Sequence, residues 1–153
     1  MKVELINPFI EATLNVLETT SSITTNPLEP FVKKDNIALG CVTGLIDLNG
    51  EYSASVAITF TETCILKIVS NMFGEEITKV DEDIYDAVGE ISNMIAGQVS
   101  LSITEFGESL KATFKKVLSE NKHQIDHIVK KPILAVPFST DAGEFTIEVS
   151  FKD

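Results

Sequence analysis

Alternation of apolar and polar residues in two segments, strict in the second, constrains the fold of this chain most. Apolar side chains recur at alternate positions over residues 52–60, directly after the dipeptide Asn49-Gly50, and again over residues 145–151. A period of two sends successive side chains to opposite faces of a β-strand. Asn-Gly favours two-residue hairpin turns in which both residues take positive φ. We therefore predict a tight hairpin that joins a buried strand over residues 37–48 to the strand ending at Phe60.

Helical spacing predicts three helices. The first begins at Asn7-Pro8, where Asn is a good N-cap and Pro suits the first helical position. A short helix runs from a Thr61 cap to Gly74. The longest begins at the acidic residues 81–83, whose negative charges suit a helix N-terminus, and extends for roughly seven turns to Gly107. Residues 19–30 are polar and contain prolines, which is typical of a connection.

Strand patterns return in the last third of the chain. We predict strands over residues 111–118, 125–129 and 133–138 before the final alternating segment. The order is therefore helix, hairpin, two helices and a run of strands. This order predicts one domain over residues 1–153 with an α/β (α+β) two-layer sandwich, in which helices pack on one face of a largely antiparallel sheet.

Charge and composition exclude several classes of function. The formal net charge is −11, and all 12 basic residues are lysines. A phosphate-backbone binder needs many basic residues, so nucleic acid is not an expected partner. An arginine finger is excluded because the chain has no arginine. No apolar run is long enough to cross a bilayer, and the first residues do not match a signal peptide. We therefore expect no membrane insertion and a cytoplasmic location.

The long predicted helix has two contrasting faces. Its apolar arc is expected to face the core and consists of Ile84, Val88, Ile91, Ile95, Val99 and Phe106. Its polar stripe lies nearly opposite and consists of Asp86, Glu90, Asn93, Gly97, Ser100 and Thr104. The apolar residues Met94 and Leu101 flank that stripe. Solvation alone also explains a polar helix face, so periodicity by itself leaves the role of the stripe open.

Glu90, Asn93 and Gly97 are the residues of the stripe that suggest a site. Glu90 and Asn93 are three residues apart, so their side chains leave the helix as neighbours. A glycine inside an exposed helix costs about 1 kcal/mol relative to alanine. Gly97 therefore needs a reason, and room for the backbone of another molecule would supply one. Together with Asp86, the flanking Met94 and Leu101 would give that molecule a surface to contact.

The segment Gly89-Glu90-Ile91-Ser92-Asn93-Met94-Ile95-Ala96-Gly97 resembles the G-E-x-x-N-x-x-x-G helix of the chemotaxis phosphatases related to CheC, CheX and FliY. The resemblance continues in order along the chain, through residues 9–12, residues 44–60 and residues 132–151. The CheX branch is the most similar, because Glu11 in the first helix is followed three residues later by Leu14 and not by a second Asn. The resemblance implies a CheC-like fold with one active helix.

The resemblance also implies a function. The substrate would be a phosphorylated CheY-type response regulator, and the reaction would be hydrolysis of its aspartyl phosphate. Asn93 would orient the attacking water, and Glu90, charged at neutral pH, would pair with the lysine of the regulator. The regulator would supply its own Mg²⁺, so no cofactor is expected on this chain. The resemblance also implies a homodimer formed by joining sheets edge to edge.

Two alternatives remain open from the sequence. The same stripe could dock a receiver or a flagellar-switch protein without catalysis, or the chain could be a structural dimerisation domain. The non-catalytic reading gains weight from a departure in the region of Lys115-Lys116, where the family usually has a proline. Lysines are concentrated over residues 111–131, where they could receive an acidic partner or simply protect a sheet edge.

Histidine and cysteine patterns suggest no further site. His123 and His127 are four residues apart with Asp126 between them, but no third strong ligand is evident, so we predict no bound metal. Cys41 and Cys64 lack the spacing of a redox or metal motif, and each is expected to act as a small hydrophobic residue.

Overall fold

The computed structural model describes residues 3–105, 109–130 and 132–152. It contains the helices α1 (Ile6–Ser21), α2 (Glu62–Phe73) and α3 (Glu82–Ser102), and the strands β1 (Thr25–Pro27), β2 (Phe31–Lys33), β3 (Val42–Asn49), β4 (Ser53–Phe60), β5 (Lys111–Ser119), β6 (Ile133–Thr140) and β7 (Gly143–Lys152). A 3₁₀ turn precedes α1, and another, Ile103–Glu105, follows α3.

All seven strands form one antiparallel sheet. The strand order is β1-β6-β7-β4-β3-β5, and β2 pairs with β6 beside β1. One edge is therefore split into the short strands β1 and β2, and β5 forms the other edge. In β5, Lys115 is a bulge residue, because Leu45 pairs with Lys116 and Ile46 pairs with Phe114.

The helices cover one face of the sheet. α3 packs on β3 and β5, α2 packs on β7, and α1 contacts both other helices. The predicted face of β4 is confirmed: Ala54, Val56, Ile58 and Phe60 are buried in the main hydrophobic core, with Tyr52 packed against it. The fold is thus the predicted two-layer sandwich with helices on one face.

The other face of the sheet is covered by an irregular segment, residues 120–130. The strand predicted over residues 125–129 is wrong. Side chains from the sheet bind this backbone instead of a neighbouring strand: Ser55 Oγ accepts from the amide of Ile128 at 2.9 Å, and Ser150 Oγ donates to the carbonyl of Val129 at 2.9 Å. Within this segment, Ile125 is buried against the sheet, in a small second hydrophobic cluster with Ala38, Leu45 and Ala57.

Several predicted boundaries also differ from the structure. The connection over residues 19–30 contains the last turn of α1 and the strand β1. Asn7 does not cap α1: Leu5 occupies the N-cap position without a side-chain cap, because the preceding 3₁₀ turn leads directly into the helix. The strand predicted from residue 37 begins at Val42, and Ile37 forms only an isolated bridge to Gln124.

The β3–β4 hairpin has a three-residue loop, residues 50–52, in place of the predicted two-residue turn. Of Asn49 and Gly50, only Gly50 has positive φ, at 133°. Gly50 packs so closely on the 109–110 backbone that a Cβ there would lie 2.8 Å from the carbonyl carbon of Ser109. This tertiary contact sets the loop conformation. Among the described residues, no helix is long and apolar enough to cross a membrane.

Candidate functional site

α3 presents the polar stripe because its opposite side is anchored in the core. The side chain of Asp81 caps the helix by accepting from the amide of Asp83 at 3.0 Å. The predicted apolar arc is confirmed for Ile84, Val88, Ile91, Ile95 and Val99, which are all fully buried. Its sixth member, Phe106, and the predicted stop at Gly107 lie outside the described residues. With one side fixed, the opposite side of α3 faces outward.

The outward face of α3 carries every residue that the sequence assigned to the site. Its exposed members are Asp86, Glu90, Asn93, Met94, Gly97 and Leu101. Ser100, which was placed on the stripe, instead faces β5, where its hydroxyl both donates to the carbonyl and accepts from the amide of Ala112, each at 3.0 Å. Thr104 is exposed but lies in the 3₁₀ turn beyond the helix. We call the six exposed residues the α3 face.

Glu90 and Asn93 have the freedom to bind another molecule. Both side chains are exposed, and within the described part of the chain neither makes a hydrogen bond or an ion pair. Residues three apart on a helix have Cβ atoms about 5–6 Å from each other. A carboxylate and a carboxamide can therefore reach one target together. The carboxylate offers acceptors and a negative charge, whereas the carboxamide offers both donors and an acceptor.

Gly97 is not explained by packing inside this chain. Apart from the backbone of its own helix, a Cβ built at this position would meet no atom of the described residues within 4 Å. The neighbouring apolar side chains are unusually accessible, since Met94 is 36% exposed and Leu101 is 80% exposed. Next to them, Gln98 accepts a hydrogen bond from Asn15 of α1 at 3.0 Å. The α3 face is therefore an open surface continuous with α1, which suits a protein partner better than a small molecule.

A cavity elsewhere in the structure does not include these residues. It has a volume of about 1130 Å³ and lies between the end of α1, α2 and the loop that follows α2. Its polar lining includes Lys67, Ser70 and Asn71, but none of the α3 face.

The two histidines are engaged in the back of the sheet. His123 bonds through Nε2 to Thr43 at 2.6 Å and through Nδ1 to the carbonyl of Glu120 at 2.7 Å. His127 bonds through Nδ1 to Ser55 at 2.7 Å and through Nε2 to Glu148 at 3.2 Å. All four ring nitrogens thus have protein partners. In the described residues, no group of three or more His, Cys, Asp or Glu could hold a metal ion.

Sequence reasoning missed a buried ionic cluster beside His127. Lys33 Nζ lies 3.0 Å from Glu148 Oε2, and the two side chains are 4% and 0% exposed. Lys33 also donates to the carbonyl of Ile37. This cluster joins β2, β7 and the 120–130 segment. Its only trace in the sequence is a glutamate on the polar side of an alternating strand, which looks like a solvent-exposed residue.

The cysteines are free thiols, as the sequence suggests. Cys64 is buried in the core, and burial raises the pKa of its thiol to about 11. Cys41 is partly buried, and its pKa is raised by burial and by the negative charge of Glu62. Raised thiol pKa values disfavour the reactive thiolate, so neither residue has the character of a nucleophile.

Comparisons with known proteins place this geometry in a family. Residues 42–139 match the sequence profile described as "Chemotaxis phosphatase CheX". A protein named CheY-P phosphatase CheX, from Thermotoga maritima, is 30% identical over 110 residues, which cover 71% of this chain and 70% of that protein.

Solved structures agree with the sequence comparisons. A CheC-like superfamily protein from Shewanella sp. PV-4 is 38% identical and superposes with a TM-score of 0.89 over 100% of both chains. A chain from the CheX-CheY-BeF3-Mg²⁺ complex of Borrelia burgdorferi is 23% identical, covers 97% of both chains and has a TM-score of 0.70, so it shares the fold. The chain described here belongs to the CheX family of chemotaxis phosphatases.

Proposed function

We propose that this chain is a cytoplasmic phosphatase that hydrolyses the aspartyl phosphate of a phosphorylated CheY-type response regulator. The observation that carries the proposal is the Glu90–Asn93 pair, exposed and without partners in the described chain, on the outward side of a helix whose opposite side is buried in the core. Family membership supports it, as does the name of the Thermotoga relative. The Borrelia complex supports a CheY-type partner.

Asn93 is assigned to the attacking water. Hydrolysis breaks the bond between phosphorus and the aspartyl oxygen, because a water oxygen attacks phosphorus in line and the products are phosphate and the aspartate carboxylate. Catalysis of such a step depends mainly on placing the water and stabilising spread charge. A neutral carboxamide can orient a water without adding an anion beside the phosphoryl group. Asn93 is exposed and therefore free to enter the pocket of a receiver domain.

Glu90 is assigned to docking. Its carboxylate would pair with the lysine of the receiver and so bring Asn93 to the phosphoryl group. Asp86, Met94, Gly97 and Leu101 complete the proposed contact surface, since all four are exposed on the same side of α3. The exposed Met94 and Leu101 supply apolar contact area, and Gly97 allows close approach. Mg²⁺ would come with the regulator, where it neutralises phosphoryl charge.

Phosphate release from a phosphorylated CheY-type regulator tests these roles. We expect Asn93→Ala to abolish stimulated release while binding to the BeF₃⁻-loaded regulator persists, because the change removes only the group that orients water. Glu90→Ala should weaken both binding and release, because it removes the docking charge. Asn121→Ala and Glu51→Ala are matched controls, since both residues are exposed and lie outside the α3 face; both controls should keep wild-type rates.

Two outcomes would contradict the proposal. Full turnover by the Asn93→Ala variant would refute the assignment of Asn93 as the residue that orients the attacking water. Tight binding by the wild-type protein with no phosphate release would instead favour a non-catalytic module that docks a receiver or a flagellar-switch protein.

We also propose that the chain forms a homodimer through the β1–β2 edge of the sheet. That edge exposes apolar side chains, with Phe31 42% and Val32 60% exposed. The β5 edge exposes lysines and contains the bulge at Lys115, two features that discourage pairing between strands. Light scattering after gel filtration should find a dimer, and Val32→Lys should shift it to monomer. A dimer unchanged by Val32→Lys but lost on substitution in β5 would assign the interface to the opposite edge.

A further inference from the structure

Ser92 lies on the buried side of α3, between Glu90 and Asn93 in sequence, and faces Gly44 of β3. A Cβ built at Gly44 would overlap the hydroxyl oxygen of Ser92 and would lie 3.0 Å from its Cβ. Ser92 is 0% exposed, and its hydroxyl has no hydrogen-bond partner among the described residues. The serine therefore fills the space that the missing side chain at residue 44 leaves. Nothing in its hydrogen bonding explains its presence there.

We propose that Gly44 and Ser92 are positioning residues for the phosphatase reaction. Their contact sets the height of α3 above β3, directly beneath Glu90 and Asn93. This inference rests on the proposed function and adds to it the support that holds the reacting pair in place. A larger side chain at this contact would displace α3, because protein interiors are closely packed and added volume forces the backbone to shift.

The height of α3 matters because a receiver domain must contact more than this helix. From Asp86 to Leu101 the helix rises about 22 Å and is about 10 Å wide, which gives an outward area of about 220 Å². A standard protein interface buries about 800 Å² on each partner. The partner must therefore also contact elements beside α3. The nearest are α1, which is joined to Gln98 through Asn15 at 3.0 Å, and β5, which lies under Gly89.

A change in the height of α3 above β3 therefore moves Glu90 and Asn93 relative to the rest of the docking surface. With the partner held partly by α1 or β5, raising α3 moves Asn93 relative to the phosphoryl group. A misplacement of about 1 Å can reduce a rate about a hundredfold. The long, flexible side chains of an ion pair between Glu90 and a lysine tolerate the same shift better. The predicted effect therefore falls on kcat more than on KM.

Gly44→Ala tests the contact. We expect kcat for phosphate release from a CheY-type regulator to fall by about tenfold or more, with KM changed by less than about threefold. Gly44→Ala combined with Ser92→Gly moves the volume from helix to strand, so kcat should return to within about threefold of Ser92→Gly alone. Gly89→Ala is the matched control. It adds the same methyl group to α3 where the nearest side-chain atom, on Phe114, is 3.5 Å away, so kcat should stay near wild type.

The outcomes are distinguishable. An active wild-type protein with an equally active, folded Gly44→Ala variant refutes the positioning role alone, as does a double variant no better than Gly44→Ala. An inactive wild-type protein refutes the proposed function and this inference with it. If Gly44→Ala does not fold, Ser92→Cys adds less volume to the same contact. It should lower kcat while urea unfolding stays cooperative, and an unchanged kcat in that folded variant overturns the proposal.

Discussion

Replacing Gly97 by alanine separates the stability of α3 from its function. Gly97 lies inside the helix, and a Cβ there meets nothing within 4 Å, so the new methyl group fits without strain. Alanine in a helix interior is favoured over glycine by about 1 kcal/mol. For a chain of this size, that gain raises Tm by about 3 °C. On the docking face, however, the methyl group occupies space proposed for the partner. Overpacking at a fitted contact costs about 1–3 kcal/mol, which corresponds to a loss of affinity of about fivefold to 150-fold.

Calorimetry and a binding titration measure the two effects on one variant. Thermal unfolding should show a higher Tm for Gly97→Ala, and titration with the BeF₃⁻-loaded regulator should show a larger Kd. Gly89→Ala changes the same helix on the side that faces β5, so it should raise Tm and leave Kd unchanged. A Gly97→Ala protein that is more stable and binds as tightly as wild type would refute the idea that this glycine makes room for a partner.

Two further predictions concern buried groups. Glu148→Ala removes the buried partner of Lys33 and a partner of His127, and leaves Lys33 only the exposed Asp35 carboxylate at 3.9 Å. It should lower the free energy of unfolding in urea by about 3–5 kcal/mol, whereas exposed Glu144→Ala should change it by less than about 0.5 kcal/mol. Because burial raises the pKa of Cys64 from 9.0 to about 11, the native state holds this proton more tightly than the unfolded state. The contribution of Cys64 to stability is thus complete below about pH 9 and is lost as the pH rises toward about 11. Unfolding followed at both ends of that range should show the decrease, and replacing Cys64 with alanine should reduce it.

Local periodicity was enough to predict which side of each major element faces the core. Val56 and Ile58 on β4, and Val88 and Ile95 on α3, are buried as their spacing indicates. The same spacing placed Glu90 and its neighbours outward. Hydrophobic burial is the main determinant of which side faces the core, and the spacing of apolar residues within each segment is enough to indicate that side.

The errors arise where a distant contact competes with the local pattern. The helical spacing put Ser100 on the polar stripe, but the backbone of β5 binds its hydroxyl. The apolar residues near Ile125 suggested a strand, but hydroxyl groups from β4 and β7 bind that backbone. The turn at Gly50 depends on the packing of residue 109. Such contact partners lie far away in sequence, so no local sequence pattern predicts them.

The sequence alone could have indicated that the position of Ser92 is unusual. Its position on the helix lies among core residues, yet it is small and polar. A small residue within an apolar arc often marks a close approach between a helix and its neighbour. Identifying Gly44 as that neighbour, however, requires the pairing of β3 beneath α3.

If the proposed homodimer forms, the unequal edges of the sheet would limit how large the assembly can become. A sheet that can pair with another copy at both of its edges can extend indefinitely, and the result is a fibre. Here the outer border of β5 carries Lys111, Lys115 and Lys116 as well as a bulge, so in the proposed dimer a second copy would have only the β1–β2 edge on which to join. A two-fold pair formed there uses up the receptive side of both chains, and growth stops.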